Sequence, residues 1–271
     1  MLEEINYSAW RDEYKSTLEH FNNKKLFVLF SGGKDSSLTM DFILQAGEEF
    51  GFGFEVHTGA FPKHRYTRPE TKRIGDYWSK RGANIIWHTF SETDELIKNT
   101  ENPCRLCQKI RKNLLKTIVT KEGYDLEKLV LVVTYSLWDI VGYSIEHILS
   151  DIYQHSNHGK ENMRSRRFVE TAQRFYPLLK MEEGYSVFRP LIRYNGSDII
   201  HTLKKKSIPF LSIPCEFSDH RPKRILEKYY EKMGLRLDYE RVMEFATRAL
   251  DLPAISAYTS IGKDRYFQDI F

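Results

Sequence analysis

The junction between an apolar run and a glycine-containing loop near the amino terminus constrains the fold more than any other feature. Residues 26–30 read LFVLF, residues 31–36 read SGGKDS, and an apolar stretch with helical spacing follows. This order predicts a buried strand, a tight turn and the start of a helix. We therefore expect an α/β unit in which the loop lies at the carboxyl end of the strand.

The loop has the residue types of a phosphate-binding site. Its two glycines allow the backbone to turn sharply and to approach a ligand closely. Lys34 adds a positive charge, and Ser31 and Ser36 add hydroxyl donors. The predicted helix start near Asp35 adds free N–H groups and the positive end of a helix dipole. A Walker A loop is excluded, because GxxxxGK[ST] does not occur. The alternative is an ordinary glycine-rich turn before a capped helix.

Three cysteines are the second informative feature. Cys104 and Cys107 open a stretch with helical apolar spacing, so their thiols share one helical face, and a loop could bring Cys215 to them. Three thiolates suit a [4Fe-4S] cluster with one open iron, because soft sulfur ligands favour iron–sulfur clusters or zinc. Three alternatives stay open: a zinc site with a fourth ligand such as His88 or His220, a redox or persulfide-carrying dithiol, and ordinary buried cysteines.

The order of the motifs resembles one enzyme family. SGGKDS, PCRLCQKIRKNLL, RPLIRYNGSDI and IPC follow one another as in the iron–sulfur-dependent tRNA-thiolating PP-loop ATP pyrophosphatases, which include the tRNA 2-thiocytidine and 2-thiouridine synthetases. The resemblance extends from about residue 26 to about residue 215. The chain has no cysteines left for the zinc modules of the 2-thiouridine branch, so it is nearer to the 2-thiocytidine branch.

The resemblance implies a fold, an activity and a set of site residues. The fold is α/β, with a parallel sheet and helices on both faces, like the adenine nucleotide alpha hydrolases, together with helical additions. The activity is an ATP-dependent, AMP-forming sulfur transfer to a tRNA base, with ATP, Mg²⁺ and a [4Fe-4S] cluster as cofactors. The implied ATP-binding residues are Ser31, Gly32, Gly33, Lys34, Asp35 and Ser36. The implied metal ligands are Cys104, Cys107 and Cys215, and the implied catalytic residues are Asp35 and Asp139.

The chain departs from the family pattern after the fourth predicted strand. The family usually has Gly-His-x-x-Asp-Asp there, whereas residues 134–139 read TYSLWD, so that Asp139 alone is at a matching position. This departure favours a rival function, a PP-loop enzyme that adenylates a small molecule for sulfur insertion or amide formation. A non-catalytic nucleotide-binding or iron–sulfur module is a further alternative, and the intact loop argues against it.

Four basic clusters indicate an RNA partner. Phosphates attract Lys and Arg, and unpaired bases stack on aromatic side chains such as Phe168 and Phe175 beside one of the clusters. We predict that Arg164, Arg166 and Arg167 of that cluster form part of a tRNA-docking surface. A solvated helix face is the alternative for each cluster. The net charge of +4 permits nucleic acid without requiring it.

The chain is expected to form a single domain over residues 1–271, with a lead-in helix at 1–24, a catalytic core at 25–217 and a helical tail at 218–271. Strands are predicted at 26–30, 53–58, 84–88 and 129–134. No apolar run approaches twenty residues and no signal peptide is visible, so we expect a soluble, cytoplasmic protein without a membrane partner. The sulfur donor, either sulfide or a carrier protein, and the oligomeric state, with a homodimer as one alternative, are left open.

Overall fold

A six-stranded sheet forms the centre of the protein in the computed structural model, which describes residues 2–121, 123–152, 168 and 170–267. The strands are β1 (Lys25–Leu29), β2 (Gly53–Gly59), β3 (Ile85–His88), β4 (Leu129–Val132), β5 (Leu178–Lys180) and β6 (Ser186–Phe188).

Helices surround the sheet. Those of the described residues are α1 (Tyr7–His20), α2 (Lys34–Phe50), α3 (Arg68–Ser79), α4 (Asp94–Lys98), α5 (Pro103–Lys121), α6 (Leu137–Ile152), α7 (Gly196–Lys205), α8 (Pro222–Lys232), α9 (Tyr239–Ala249) and the short helices α10 (Ser256–Thr259) and α11 (Lys263–Arg265). None of these helices is long and apolar enough to cross a membrane.

The strand order places a ligand site between β1 and β4. The order is β3-β2-β1-β4-β6-β5, and β1 pairs in parallel with both β2 and β4. From β1 the chain first adds β2 and β3 on one side of β1, and then crosses over to form β4 on the other side of β1. In an open parallel sheet, ligands bind beyond the carboxyl ends of the strands at such a reversal point. The loops that follow β1, β4 and β6 meet there.

Alternate residues of the central strands fill two apolar cores, one on each face. In β1, Leu26 and Val28 pack with residues of α1, α2, α3 and α7, whereas Phe27 packs with residues of α5, α6 and α9. In β4, Val130 faces the first core and Leu131 the second. A parallel sheet covered on both faces needs such apolar strands, which explains the continuous runs in the sequence.

The predicted fold class is confirmed, with one addition. The four predicted strands correspond to β1–β4, and the lead-in helix buries Trp10, Tyr14 and Leu18 as α1. The addition is the pair β5 and β6, of which β5 runs antiparallel to β6 at the sheet edge. Each has only three residues, too few for a periodic signal. The division into core and tail at residue 217 stays a prediction.

Candidate functional site

The loop between β1 and α2 has the geometry of an anion cradle. Gly32 has a φ of +68°, and a Cβ there would lie 2.9 Å from Leu211 Cγ, so glycine is required. Helix α2 begins at Lys34 without a side-chain cap, which leaves the N–H groups of its first turn for a ligand. The hydroxyl oxygens of Ser31 and Ser36 lie 3.2 Å apart beside it. The predicted phosphate-binding residues thus converge on one turn.

Lys34 is held in its charged form by two carboxylates. Its Nζ lies 2.6 Å from Asp35 Oδ1 and 3.6 Å from Glu227 Oε1. Burial alone would lower the pKa of Lys34, but the two carboxylates raise it above its ordinary value. The loop therefore presents a permanent cation where a phosphate would bind.

Asp139 lies in the first turn of α6, next to the loop. One carboxylate oxygen, Oδ2, accepts hydrogen bonds from the backbone N–H of Ser136 at 2.9 Å and from its hydroxyl at 3.3 Å. The other, Oδ1, accepts from Lys223 Nζ at 2.8 Å. Burial alone would raise the pKa of Asp139, yet the cations of Lys223 and Arg224 hold it well below its usual range. Asp139 is thus a buried, permanent carboxylate.

Helix α8 carries three charged side chains into the site that the sequence analysis did not assign there. Lys223 pairs with Asp139, and Arg224 donates to Glu227 Oε2 at 2.6 Å. Burial alone would lower the pKa of Arg224, but the carboxylates of Asp139, Glu227 and Asp35 raise it. In the sequence, Arg221, Lys223 and Arg224 together form one of the four basic clusters. The sequence feature that could have identified these residues is the spacing of Lys223 and Arg224 to Glu227. It places all three on neighbouring positions of one helix soon after Cys215.

The three cysteines share one apolar cup, formed by Phe61, Ile97 and Phe217 and defined here as the thiol cup. Cys104 and Cys107 lie in the first turns of α5, and Cys215 lies in the loop before α8. All three are half-buried free thiols.

Charges around the thiol cup favour thiolates, although burial opposes them. Burial raises the pKa of Cys104 and of Cys107, and the nearby Arg221 lowers both in part. Arg111, one turn beyond Cys107 on α5, adds a second cation beside that thiol. A negatively charged metal–thiolate group would be stabilised by both guanidinium groups.

The donor set of the thiol cup, three cysteine sulfurs, is one that both iron–sulfur clusters and zinc use. No three His, Cys, Asp or Glu side chains in the described part of the chain are arranged to hold one ion. A tetrahedral zinc at about 2.3 Å from each sulfur needs sulfur atoms roughly 3.8 Å apart. Each thiolate of a [4Fe-4S] cluster binds a different iron, so the ligands can stand further apart. His88, considered as a zinc ligand, has its Nε2 2.9 Å from His57 Nδ1.

A short segment connects the phosphate loop with the thiol cup. Leu211 N–H donates to Gly32 O at 2.7 Å, four residues before Cys215. Arg65 Nε donates to Ile213 O at 3.1 Å. The segment that leads to the third cysteine is therefore joined to the phosphate loop by one backbone hydrogen bond and is held further along by the side chain of Arg65.

His64 fixes the same segment from the other side of Cys215. The backbone N–H of Glu216 donates to His64 Nε2 at 3.1 Å, so that this nitrogen is the acceptor and Nδ1 carries the proton. His64 Nδ1 donates in turn to Asp94 Oδ2 at 2.8 Å. Two successive hydrogen bonds thus support the cysteine loop.

The three arginines of the predicted RNA-docking surface stay a prediction, whereas two aromatic residues beside them are described by the structure. Arg164, Arg166 and Arg167 lie outside the described residues. The expectation that Phe168 and Phe175 stack on bases is wrong, because both rings are buried in the second core.

Arg174, the other arginine of this cluster, packs against two tyrosine rings. The guanidinium of Arg174 lies 4.6 Å from the ring centroid of Tyr143 and 5.4 Å from that of Tyr135, as cation–π pairs. Sequence alone cannot separate such a buried pair from a solvent-facing basic patch.

Comparisons with known proteins give sequence relatives and a fold. The chain is 25% identical over 197 residues to the tRNA-cytidine(32) 2-sulfurtransferase of Bordetella pertussis, with 70% of the chain and 53% of that protein covered. It is 26% identical over 195 residues to the protein of the same name from Azotobacter vinelandii, of which 62% is covered. The chain thus spans about half the length of the first of these relatives. No model of a known protein family matches.

A solved structure shows the same fold. The U34-tRNA thiolase NcsA from Methanococcus maripaludis, solved with its [4Fe-4S] cluster, superposes with a TM-score of 0.61 at 16% identity over 96% of this chain and 88% of that one. The comparisons therefore confirm the predicted resemblance to the iron–sulfur-dependent tRNA-thiolating PP-loop pyrophosphatases, whose fold this chain shares.

Proposed function

We propose that this protein is an ATP-dependent sulfur transferase that adenylates a tRNA base and replaces its oxygen with sulfur. The observation that carries the proposal is the hydrogen bond from Leu211 N–H to Gly32 O, which joins the phosphate loop to the segment of Cys215. Thiolation needs a nucleotide site and a sulfur-handling site at a fixed separation, since the base must react at both. The sequence relatives, which are tRNA-cytidine 2-sulfurtransferases, support the same activity.

ATP would bind with its terminal phosphates in the anion cradle. Lys34 and the N–H groups of α2 would hold the β- and γ-phosphates. Asp35 and Asp139 would provide the carboxylates for Mg²⁺, which usually binds through one or two carboxylates and substrate phosphates. The ion would neutralise the charge that develops on the leaving pyrophosphate.

The reaction would have two steps. The carbonyl oxygen of the base attacks the α-phosphorus and pyrophosphate leaves, which gives an adenylated base. Sulfide then attacks the ring carbon that bears the adenylated oxygen. AMP leaves with that oxygen, and a thiocarbonyl remains. A [4Fe-4S] cluster held by Cys104, Cys107 and Cys215 would supply an iron with an open position for sulfide. Arg111 and Arg221 would stabilise the negative charge of the thiol cup.

The partners follow from this chemistry. The tRNA would dock partly on Arg164, Arg166 and Arg167, and its target base must leave the stack, as bases in loops do. An oxygen-sensitive cluster suits the reducing cytoplasm. Sulfide or a carrier protein would supply the sulfur.

Nucleoside analysis tests the proposal. Transfer RNA from cells with and without the gene is digested, and thiolated nucleosides are quantified by mass spectrometry. We expect one 2-thiolated nucleoside to disappear without the gene, to return with the intact gene and to stay absent with Cys215→Ala. An unchanged profile would move the assignment to adenylation of a small molecule.

A further inference from the structure

A cavity of about 200 Å³ opens beside the phosphate loop, between α6, α8 and the start of α7. Its walls are mostly apolar and aromatic, with Trp138, Val141 and Ile145 from α6 and Tyr230 from α8. The Trp138 and Tyr230 rings have centroids 5.9 Å apart. A single water needs only roughly 10–15 Å³, so the cavity has room for a ring-sized ligand. None of the sequence-predicted site residues lines it.

One corner of this cavity is charged and touches the loop. A Cβ built on Gly196 would lie 2.8 Å from Glu227 Oε1, 3.0 Å from Lys34 Nζ and 3.3 Å from Glu231 Oε1. Gly196 and both glutamates line the cavity. Lys34, Glu227 and Glu231 therefore pack directly against Gly196, where any side chain would collide with them.

Glu227 carries an unused acceptor at this corner. Its side chain is buried, with 5% of its surface exposed. Arg224 holds Oε2 at 2.6 Å, whereas Oε1 has no hydrogen-bond partner among the described residues and lies 3.6 Å from Lys34 Nζ. A buried acceptor without a donor is costly, so a water or a bound ligand commonly provides one.

The charges restrict what that group can be. Two carboxylates, Glu227 and Glu231, and two cations, Lys34 and Arg224, balance one another here, so a neutral ligand fits the cavity side of this corner better than a further ion. Burial and the charge of Glu227 raise the pKa of Glu231, whose side chain is half-buried. The remaining fit is a flat, neutral ring that stacks on aromatic side chains and donates an N–H to a carboxylate.

We propose that this cavity is the pocket for the acceptor base, and that Glu227 Oε1 accepts a hydrogen bond from the exocyclic amino group of cytosine. The inference rests on the proposed function and extends it to the identity of the base, on which the cytidine and U34 enzymes among the similar proteins differ. Cytosine and uracil share the oxygen at position 2. At position 4 cytosine has an amino donor and uracil an acceptor, which a carboxylate repels.

The test measures base selection with unmodified tRNA transcripts. Cluster-loaded protein is incubated without oxygen with ATP, Mg²⁺, sulfide and a mixture of transcripts, and 2-thiocytidine and 2-thiouridine are quantified. The intact protein should form at least about tenfold more 2-thiocytidine, the ratio that one good contact to a base edge supplies. Glu227→Gln should lower this ratio about tenfold, because an amide can also donate to the uracil oxygen. Glu244→Gln, a substitution of an exposed glutamate on α9, should leave it unchanged.

A second variant separates the pocket from the phosphate loop. Tyr230→Leu removes an aromatic wall and should weaken use of tRNA about tenfold, as removal of one base stack does, without changing the KM for ATP. Predominant 2-thiouridine, or an unchanged ratio in Glu227→Gln, overturns the base pocket and leaves the proposed function standing. Absence of any thiolated nucleoside overturns the proposed function, and the pocket with it.

Discussion

A substitution of Asp35 should affect the reaction of ATP without affecting the binding of iron. Asp35 lies in the first turn of α2, buried, with Oδ1 2.6 Å from Lys34 Nζ, and it belongs to the cradle and not to the thiol cup. Asp35→Asn should lower pyrophosphate release from ATP by about 100-fold or more, since it removes a charge from the site that holds Mg²⁺ and phosphate. Iron content should stay the same. Pyrophosphate and iron assays on one preparation check this.

The control for that variant is Asp12→Asn, at an aspartate of α1 whose side chain is 63% exposed. It should change neither quantity. Formation of ADP and phosphate as the sole products by the unsubstituted protein would contradict the pyrophosphatase assignment.

The Asp139–Lys223 pair predicts a pH dependence of stability. The cations of α8 lower the pKa of Asp139 in the folded protein, while an unfolded aspartate titrates near 3.9. The stabilisation by its charge is therefore complete above about pH 5 and is lost as the pH falls below about 4. Asp139→Asn should lower the free energy of unfolding by about 3 kcal/mol at pH 7, because it removes a buried carboxylate and leaves the largely buried Lys223 without its partner.

Urea denaturation from pH 7 to pH 3 measures this difference, which should shrink in acid. Asp139→Asn combined with Lys223→Met should recover part of the loss at pH 7, since no buried charge is then unpaired. Asp76→Asn, at an exposed i,i+4 pair with Lys72, should change stability by less than about 0.5 kcal/mol. A pH-independent difference for Asp139→Asn would refute the role of its charge.

At the scale of elements, the loop that carries Cys215 depends on its supports. His64→Ala removes the acceptor of the Glu216 N–H and the imidazole donor to Asp94, while the backbone N–H groups of Lys63 and His64 still donate to Asp94. Partners that orient metal ligands commonly contribute about 10-fold to 100-fold in metal affinity. We expect the variant to lose iron during gel filtration without oxygen, while ATP binding stays intact. The matched control is His20→Ala at the end of α1, and equal iron in all three proteins would contradict this role of His64.

The elements that sequence predicted are those with a strong local signal. Strands β1 and β4 each have four apolar residues in a row, and α1 has three large apolar residues on its buried side. The role of α8 could not be predicted, because Lys223 meets Asp139 across 84 residues of chain only after both helices pack. Such pairs depend on tertiary contacts that no local pattern encodes.

For the whole molecule, tRNA binding should depend on charge at Arg164, Arg166 and Arg167. Reversing all three to Glu should weaken binding and reduce the slope of log affinity against log salt by roughly 0.7–0.9 for each phosphate that the variant no longer neutralises. The Kd for ATP should not change. Arg248→Glu, at a side chain of α9 that is 77% exposed, is the control. Identical salt slopes for the triple variant and the control would place the tRNA elsewhere.

The order of the motifs along the chain was enough to predict the fold class and the relatives, because the cradle and the cysteines each carry a distinctive local pattern. The base pocket was not predictable. Its residues come from α6, α7 and α8, and what distinguishes Glu227 is a buried oxygen without a donor, which is a property of packing.

The most direct test of the central claim is the stoichiometry of AMP and thiolated nucleoside in one reaction. Protein loaded with cluster without oxygen, with about four iron per chain, is mixed with tRNA, ATP, Mg²⁺ and sulfide, and both products are quantified. The account predicts about one AMP for each thiolated nucleoside. It also predicts that Cys104→Ala, Cys107→Ala and Cys215→Ala each abolish the nucleoside while ATP binding persists. Undiminished thiolation by these variants, or stoichiometric zinc in place of iron in the active protein, would contradict it.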